Sequence, residues 1–510
     1  MSEKKPRKWL VLAVLCLSVF LVVVDNTIVN VALPSLSSQL NASNSALQWI
    51  VDAYSLPFAG LLLAGGGLSD RLGRKKVMQV GLVFFAIFSA MAAWSHSSAQ
   101  LITMRALMGL AAAFIFPATL SILTITFTDA RDRAKAYGIW GATSGLAVAF
   151  GPLTGGALIE HFWWGSVFLV NLPVVALTIV AGQLVIPESK SEFKRRFDFT
   201  GLFFGSAGIT LLVLAIIEGP TWGWRSATTL SLFATAAILF TGFVLWERRQ
   251  PEPLLDVRVF SKPAFSAGAV SIATSFFCLF GFIFLVTQYF QLVRGYSAFS
   301  AGAHTLPFAI TSMIMTPLGA LLALKIGTRT VVGSGLVIMS LGLAWMAVQG
   351  AESAFFGPVM GSMIVLATGF SLITAPSTAA VMGSLSPEQI GAGSAVNNVT
   401  RELGGTLGVA VVGSTFSSVF GPQIIQTFSQ YVPREIAVKA SESMQGALGT
   451  AQALPAQISA TLHPQIVESF MSGFHRGCFV AAGVALALSI LAFTLLPSKA
   501  DQPPVAMVAH

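Results

Sequence analysis

Fourteen stretches of this 510-residue sequence are apolar for about as long as a helix needs to cross hydrocarbon. They lie near residues 9–30, 47–67, 77–95, 100–122, 136–159, 165–186, 200–217, 227–246, 264–290, 301–323, 330–348, 356–381, 403–420 and 476–497. A helix rises about 1.5 Å per residue, so roughly 20 residues span a hydrocarbon core about 30 Å thick. With 55% hydrophobic and 10% charged residues, the chain has too little polar surface to cover a soluble globule. An all-α integral membrane protein with 14 transmembrane helices is expected.

Charge placement predicts the orientation, because lysine and arginine stay on the cytoplasmic side. With the N-terminus inside, the inner loops hold 23 of the 29 basic residues, from Lys4, Lys5, Arg7 and Lys8 through Lys194, Arg195 and Arg196 to Arg401 and Lys499. The outer side holds Arg225, Arg294, Arg434, Lys439 and Arg476, and Arg105 is left inside a span. Both termini are therefore expected in the cytoplasm. This topology accounts for the net charge of +8, which is then no argument for nucleic acid as a partner.

The basic start and apolar core of residues 1–30 are read as a first helix rather than a cleaved signal, because the apolar run is long and no small-residue cleavage site follows. Cys16, Cys278 and Cys478 lie in or beside apolar spans, as small buried thiols do. The triplet Asn41-Ala42-Ser43 matches a glycosylation sequon but carries no weight. The six histidines, His304 among them, show no ligand spacing, and no phosphate-binding loop, HExxH or nucleophile elbow occurs. A metal site, an ATP site and an enzymatic role are not expected.

Between the second and third spans runs Gly66-Gly67-Leu68-Ser69-Asp70-Arg71-Leu72-Gly73-Arg74-Lys75-Lys76, a glycine-hinged, cation-dense hairpin. Its glycines permit close helix approach and a tight turn. Asp70 suits a helix N-terminus, and the basic run suits anionic headgroups or the loop carboxylates Asp129 and Asp132. A weaker copy follows at residues 320–329, with Gly327 in the place of Gly73, Lys325 in that of Arg71 and Leu324 where Asp70 would be. That separation is too long for six helices and about right for eight. It predicts two six-helix halves with two helices inserted, a 6+2+6 arrangement.

The boundaries that follow are residues 1–8 for an N-terminal segment, 9–186 for the first bundle, and 187–262 for linkers and the inserted pair. The second bundle takes 263–497, including an outer loop at 421–475, and a tail takes 498–510.

Further motifs occur in the first half. Asp25-Asn26-Thr27-Ile28-Val29-Asn30-Val31-Ala32-Leu33-Pro34 ends the first span, and Trp49-Ile50-Val51-Asp52-Ala53-Tyr54-Ser55-Leu56 lies in the second. Leu101 to Gly109 surrounds Arg105, and Gly151-Pro152-Leu153-Thr154-Gly155-Gly156 lies in the fifth. With the Asp70 hairpin, these motifs make the chain resemble the 14-helix drug:proton antiporters of the major facilitator superfamily, the EmrB/QacA type, from about Val24 to Leu496. Two positions depart from the family pattern: Met108 stands where glutamine is usual, and Ala147 where glycine is usual.

The residues carry their own physical reading. A charge in mid-helix costs at least about 2.5 to 3.5 kcal/mol on insertion scales, so it is rarely kept without a partner or a wet cavity. Arg105 either snorkels to the outer interface or faces a cavity and biases the protonation of a nearby carboxylate. Asp25 and Asp52 are the candidate carboxylates. Asp25 lies about 24 Å along its helix, in the outer third, and Asp52 lies at a similar level. Each could hold a proton or a cation but not comfortably both, a sufficient basis for exchange. For both, the alternative is a helix-end residue solvated at the membrane surface. Glu402 is a weaker candidate, with an inner-surface ion pair beside Arg401 as its alternative reading.

Gly151, Pro152, Gly155 and Gly156 remove side chains and one backbone donor, so this helix can bend and pack closely. Asn26, Tyr54, Trp140, Phe280, Gln288 and Ser312, with Met313 and Met315, are candidate cavity-lining residues for a flat or lipophilic cation. The resemblance implies that Arg105 serves proton coupling and that the Gly151 motif goes with antiport. It also implies export of amphiphilic or cationic drugs across a bacterial plasma membrane, without a cofactor and driven by the proton gradient. Ser312 stands where some members that handle dications carry a second acid, so a monocation or neutral amphiphile is the expected substrate. Protons, membrane lipids and the substrate are the expected partners, and a monomer the expected working unit. An exporter of an endogenous metabolite, lipid or peptide is the alternative, and a non-transporting membrane protein the remaining one.

Overall fold

The computed structural model describes residues 8–40, 44–190, 198–251, 253, 255, 257–386 and 389–498. Lys4, Lys5, Arg7, the Asn41 triplet, Lys194, Arg195, Arg196 and Lys499 lie outside the described residues. Among those described, 14 helices are long and apolar enough to cross a membrane. The fold class expected from the apolar runs is the one observed.

The first six crossings are α1 (Lys8–Gln39), α2 (Asn44–Leu72), α3 (Arg74–Ala93), α4 (Ser98–Thr126), α5 (Ala130–His161), and a sixth made by the short α6 (Ser166–Leu169) and α7 (Asn171–Val185). The inserted pair is α8 (Phe199–Trp222) and α9 (Ala227–Glu247). The last six crossings begin with α10 (Pro263–Gln288), then α11 (Ala298–His304) running into α12 (Leu306–Ile326), α13 (Thr328–Met346) and α14 (Met360–Gly383). They close with α15 (Ile390–Phe428) and α18 (Ala456–Leu495), between which stand α16 (Arg434–Ala440) and α17 (Met444–Gln452). Several helices start on the side chain just before them: Ser97 accepts from the Gln100 amide, Asp129 from Asp132 and Asp198 from Gly201.

Within the first half, α2 packs on α4, α3 on α4 and α1 on α5; within the second, α10 packs on α15 and α13 on both α14 and α18. The halves meet along α5 against α12 and α2 against α15. Glycine makes the first seam close: a β-carbon at Gly138 would strike the Pro317 backbone. Of the inserted pair, α8 lies against α2 and α15, and Trp224 at its end donates to the Ser414 hydroxyl on α15 at 3.2 Å.

The weak repeat has a structural counterpart. Gly73 and Gly327 each immediately precede a helix with a positive φ, 109° and 92°, a backbone that glycine adopts without steric cost. Each turn is held by the end of the last helix of its own half. The Arg74 amide donates to the Ser189 carbonyl at 2.8 Å, while the Arg329 amide donates to Pro497 at 3.3 Å and its Nε to Leu496 at 2.7 Å.

The second half adds two details. The segment at 421–475, expected as an outer loop of moderate helical propensity, is largely helical, because α15 and α18 have 39 and 40 residues and run on past their apolar spans. At about 1.5 Å per residue each is close to twice the hydrocarbon thickness. The helices α16 and α17 pack between them through Ala437, Ala440, Met444 and Ala447. The thirteenth helix also starts well before residue 403. Its first turns carry Ser394, Asn397, Asn398 and Arg401, polar residues that face the protein interior and so depress the hydropathy of a helix that is continuous there.

Candidate functional site

Asp25 and Arg105 are both wholly buried, and they touch: Nη1 of Arg105 donates to Oδ2 of Asp25 at 2.6 Å. Asp25 lies about two thirds of the way along the Lys8–Leu33 span, and, being wholly buried, it is not solvated at the membrane surface. Arg105 does not snorkel. Its Nε donates to the Ile50 carbonyl on α2 at 3.1 Å, and its guanidinium stands 4.3 Å from the centroid of the Tyr54 ring. The Tyr54 hydroxyl in turn donates to the Val22 carbonyl on α1 at 3.2 Å. Gly109, one helical turn beyond Arg105, permits this approach, because a β-carbon there would meet the Tyr54 backbone.

The other carboxylate oxygen of Asp25 accepts from Asn171 at 2.7 Å. Asn171 also donates to the Ser89 hydroxyl, which donates to the Phe168 carbonyl at 2.8 Å. One ion pair thus ties together α1, α2, α3, α4 and the α6–α7 crossing. Bonded on both oxygens, Asp25 meets the condition for keeping a charge in the interior. Nη2 of Arg105 has no hydrogen-bond partner among the described residues.

Asp52 does not belong to this cluster. It is half-buried on α2 and, two residues before Tyr54, points to another side of the helix. Glu402 is not at an inner surface, as a span starting at 403 suggested, but twelve residues into α15. It forms no ion pair with Arg401 among the described residues, since adjacent side chains on a helix diverge. Half-buried, the Glu402 carboxylate comes within electrostatic reach of Tyr54 across the seam between the halves.

Arg401, expected in an inner loop, is buried across that seam. Its guanidinium stands 4.5 Å from the Trp140 ring of α5 and 5.1 Å from Phe276 of α10, and Nη2 donates to the Thr378 hydroxyl at 3.3 Å. Trp140 is fixed by a bond from its indole N–H to Thr119 at 3.1 Å. Ring contacts run on from Trp140 to Phe116, Phe58 and Tyr54, with successive centroids 5.7, 5.8 and 6.0 Å apart. The two buried arginines therefore stand at the ends of one aromatic run.

The hairpin is assembled differently from its expectation. Asp70 pairs with Arg74 one turn along, Oδ1 accepting from Nη2 at 2.6 Å and from Nε at 2.9 Å. Asp129 caps its own helix and Asp132 pairs with Lys8, so neither serves the hairpin. The start of α3 is capped instead by Glu188, whose two oxygens accept the Lys75 and Lys76 amides at 3.1 Å each. An anionic side chain is favoured at that helix end by the unpaired amides and the helix dipole.

In the Gly151 motif, Gly151 and Gly155 receive α1 at Thr27, Ile28 and Val31, while Gly156 receives Phe299 of α11. Pro152 sits inside a continuous α5 and contacts the face of α11 at Gly302. Of the candidate lining residues, Tyr54 and Trp140 are buried in the aromatic run, and Asn26, Phe280 and Gln288 are half-buried. Phe280 packs beside Gly405 and Gln288 donates to its own helix at Phe284. Ser312 departs from expectation: it is buried at the α12–α5 seam beside Gly145, where close packing favours a small residue. Met313 faces outward from the bundle.

The family described as the Major Facilitator Superfamily matches residues 15–409. The chain belongs to this superfamily. It is 34% identical over 481 residues to the multidrug efflux pump LfrA of Mycolicibacterium smegmatis, covering 94% of this chain and 95% of that one. It is 31% identical to the tetracenomycin C resistance and export protein of Streptomyces glaucescens, covering 98% and 94%. The methyl viologen resistance protein SmvA of Salmonella typhimurium is 34% identical over 88% of this chain and 90% of its own. Among solved structures, the human organic anion transporter MFSD10 superposes with a TM-score of 0.62 at 16% identity, covering 96% of this chain and 100% of that one. At that identity the likeness concerns the fold.

As a facilitator-superfamily member, the protein is a multi-pass plasma-membrane transporter and not an enzyme. Sequence reasoning singled out Asp25, Arg105 and Tyr54, which the structure brings together, and missed Asn171, Ser89 and Glu188. Asn171 had a legible signal, an amide at the start of an otherwise apolar crossing. Glu188 had only its place after the last crossing of a half, and its role depends on a contact more than a hundred residues away in sequence.

Proposed function

We propose that the protein is a proton-coupled antiporter that exports lipophilic, monocationic drugs or biocides across the plasma membrane by alternating access. The observation that carries this reading is the dry Asp25–Arg105 pair, which joins helices across the first half. A proton arriving on Asp25 removes the anion and leaves Arg105 an uncompensated interior charge, a cost on the order of 3–5 kcal/mol. Tyr54 and Ile50 cannot neutralise it, so α1, α2 and α4 gain by rearranging. That couples protonation to a change of packing, which alternating access requires.

Glu402 takes the substrate side of this scheme. Its carboxylate has no bonded cation among the described residues, and it lies across the seam from Tyr54. A lipophilic monocation held there through charge and against rings such as Phe280 and Phe276 would compete with a proton at the same group. The names of LfrA and SmvA support drug or biocide export. In this reading the gradient supplies the energy with no nucleotide or other cofactor, and a monomer suffices.

The second reading is export of one specific endogenous metabolite, and the relative named for tetracenomycin C resistance and export supports a transporter for a single compound. Inverted membrane vesicles given a fluorescent lipophilic cation separate the two. Uptake that requires an imposed pH gradient and is lost in Asp25→Asn at equal expression is the expected result. No gradient-driven uptake by the unaltered protein would overturn cation:proton antiport in favour of the metabolite reading.

A further inference from the structure

On the lipid-facing surface of the first half, a groove of about 600 Å³ opens between α3 and α7, with Lys75, Lys76 and Glu188 at one end. Along its wall stand Val80, Val83 and Phe84, all exposed on the surface that a bilayer covers. Its floor is polar and built. Gln79 donates to the Ile179 carbonyl at 3.3 Å, Gln183 donates to the Gln79 side-chain oxygen at 2.6 Å, and Lys75 Nζ donates to the Gln183 carbonyl at 3.1 Å. These bonds tie α3 to α7 and fix the concavity.

The charge in the groove is unbalanced toward the positive. Glu188 spends both oxygens on the Lys75 and Lys76 amides, so its charge is directed into the helix end. Two ammonium groups remain at the mouth, that of Lys75 with one donor on the Gln183 carbonyl. Beyond Lys76, the i+4 and i+7 neighbours Val80 and Val83 continue on one helix face as an apolar track. A cationic clamp above an apolar track matches a phosphate diester above an acyl chain. Soluble phosphate would use only the clamp. The ammonium of a zwitterionic ethanolamine lipid would find its one carboxylate already doubly bonded.

We propose that this groove is a specific site for one anionic phospholipid, its phosphate on Lys75 and Lys76 and one acyl chain along Val80, Val83 and Phe84. The site locks the hairpin turn to the sixth crossing through the lipid. It depends on the protein's place in a membrane and not on what the protein transports.

Native mass spectrometry of the delipidated full-length protein, titrated with phosphatidylglycerol or with phosphatidylcholine or phosphatidylethanolamine of the same chains, tests it. One phosphatidylglycerol should bind at least tenfold tighter than either other lipid. The double variant K75Q/K76Q should weaken it roughly thirtyfold, as expected for two lysines at an anionic headgroup. Val83→Trp, which fills the track, should weaken all three lipids. Millimolar inorganic phosphate should not displace the lipid. As a readout that needs no variant, phosphatidylglycerol should slow amide exchange across residues 74–84. Equal binding of the three lipids, preference for phosphatidylethanolamine, unchanged binding in K75Q/K76Q, or displacement by inorganic phosphate would each overturn the assignment.

Discussion

Arg105 and Arg401, both buried and one in each half of the protein, terminate a single run of four aromatic rings: Tyr54, Phe58, Phe116 and Trp140. Arg105 has a carboxylate partner and Arg401 has none among the described residues. The first end is therefore a neutral pair whose charge appears only on protonation, and the second is a standing charge held by ring faces and one hydroxyl. A shift of Tyr54 over Arg105 is passed to Trp140 through close-packed rings, since interiors of this density transmit displacement.

The paired end predicts an asymmetric response to mutation. Removing one partner from a buried ion pair costs about 3–5 kcal/mol, whereas replacing both by apolar residues is often neutral. Arg105→Met should lower the thermal unfolding temperature in detergent markedly, and the double variant D25L/R105M should regain most of that loss. Vesicle transport should stay at least tenfold down in both. A stable double variant with normal transport would make the pair purely structural.

Glu402 gives a pH signature whose sign follows from competition. The carboxylate holds a cation only when it has lost its proton, so affinity for a lipophilic monocation should rise with pH, by up to tenfold per unit while the group is mostly protonated. Glu402→Gln should weaken cation binding and flatten its pH dependence. Binding of a neutral amphiphile should change little. Titrations of a fluorescent cation against purified protein at several pH values check this, and a slope retained in Glu402→Gln would assign the competition to another group.

The fold was legible because membrane helices announce themselves by length and composition, and the superfamily motifs fixed which residues to watch. Arg105 pointed to a carboxylate partner because a lone cation in lipid needs an anion, but Asp25 and Asp52 stand at similar levels in the sequence and only the packing decides for Asp25. Glu402 was misplaced for a physical reason. Hydropathy locates lipid-facing surface, and the inward polar face of α15 hides the helix that carries it. The Asp129 and Asp132 assignments failed similarly, and Glu188 was missed: sequence shows which carboxylates lie near a basic loop, but the helix end they cap is decided by how crossings pack.

Close backbone approach beside the ion pair predicts sensitivity at Gly109. A β-carbon there meets the Tyr54 carbonyl, which cannot rotate away as a side chain would. Gly109→Ala should force α2 and α4 apart at an overpacking cost of about 1–3 kcal/mol. It should also move the Tyr54 ring off Arg105. Transport should fall more than stability does, and a Gly109→Ala protein with unchanged transport would show that the stacking is dispensable.

The hairpin offers a test by double-mutant cycle. Gly73→Ala puts a β-carbon where the Glu188 carboxylate now caps α3, and it adds backbone strain at φ 109°, about 1–2 kcal/mol for a residue other than glycine. Glu188→Gln leaves an amide in place of the anion that accepts both amides, at about 1–2 kcal/mol. Because the alanine already displaces the carboxylate, the two losses overlap, and G73A/E188Q should be less destabilised than the sum of the singles by about 1 kcal/mol. Gly327→Ala in the second half also incurs strain at its φ of 92°, but lies far from Glu188 along the fold and should add independently to Glu188→Gln. Additive losses for G73A and E188Q, measured by chemical unfolding in mixed micelles, would mean that the cap does not depend on the glycine turn.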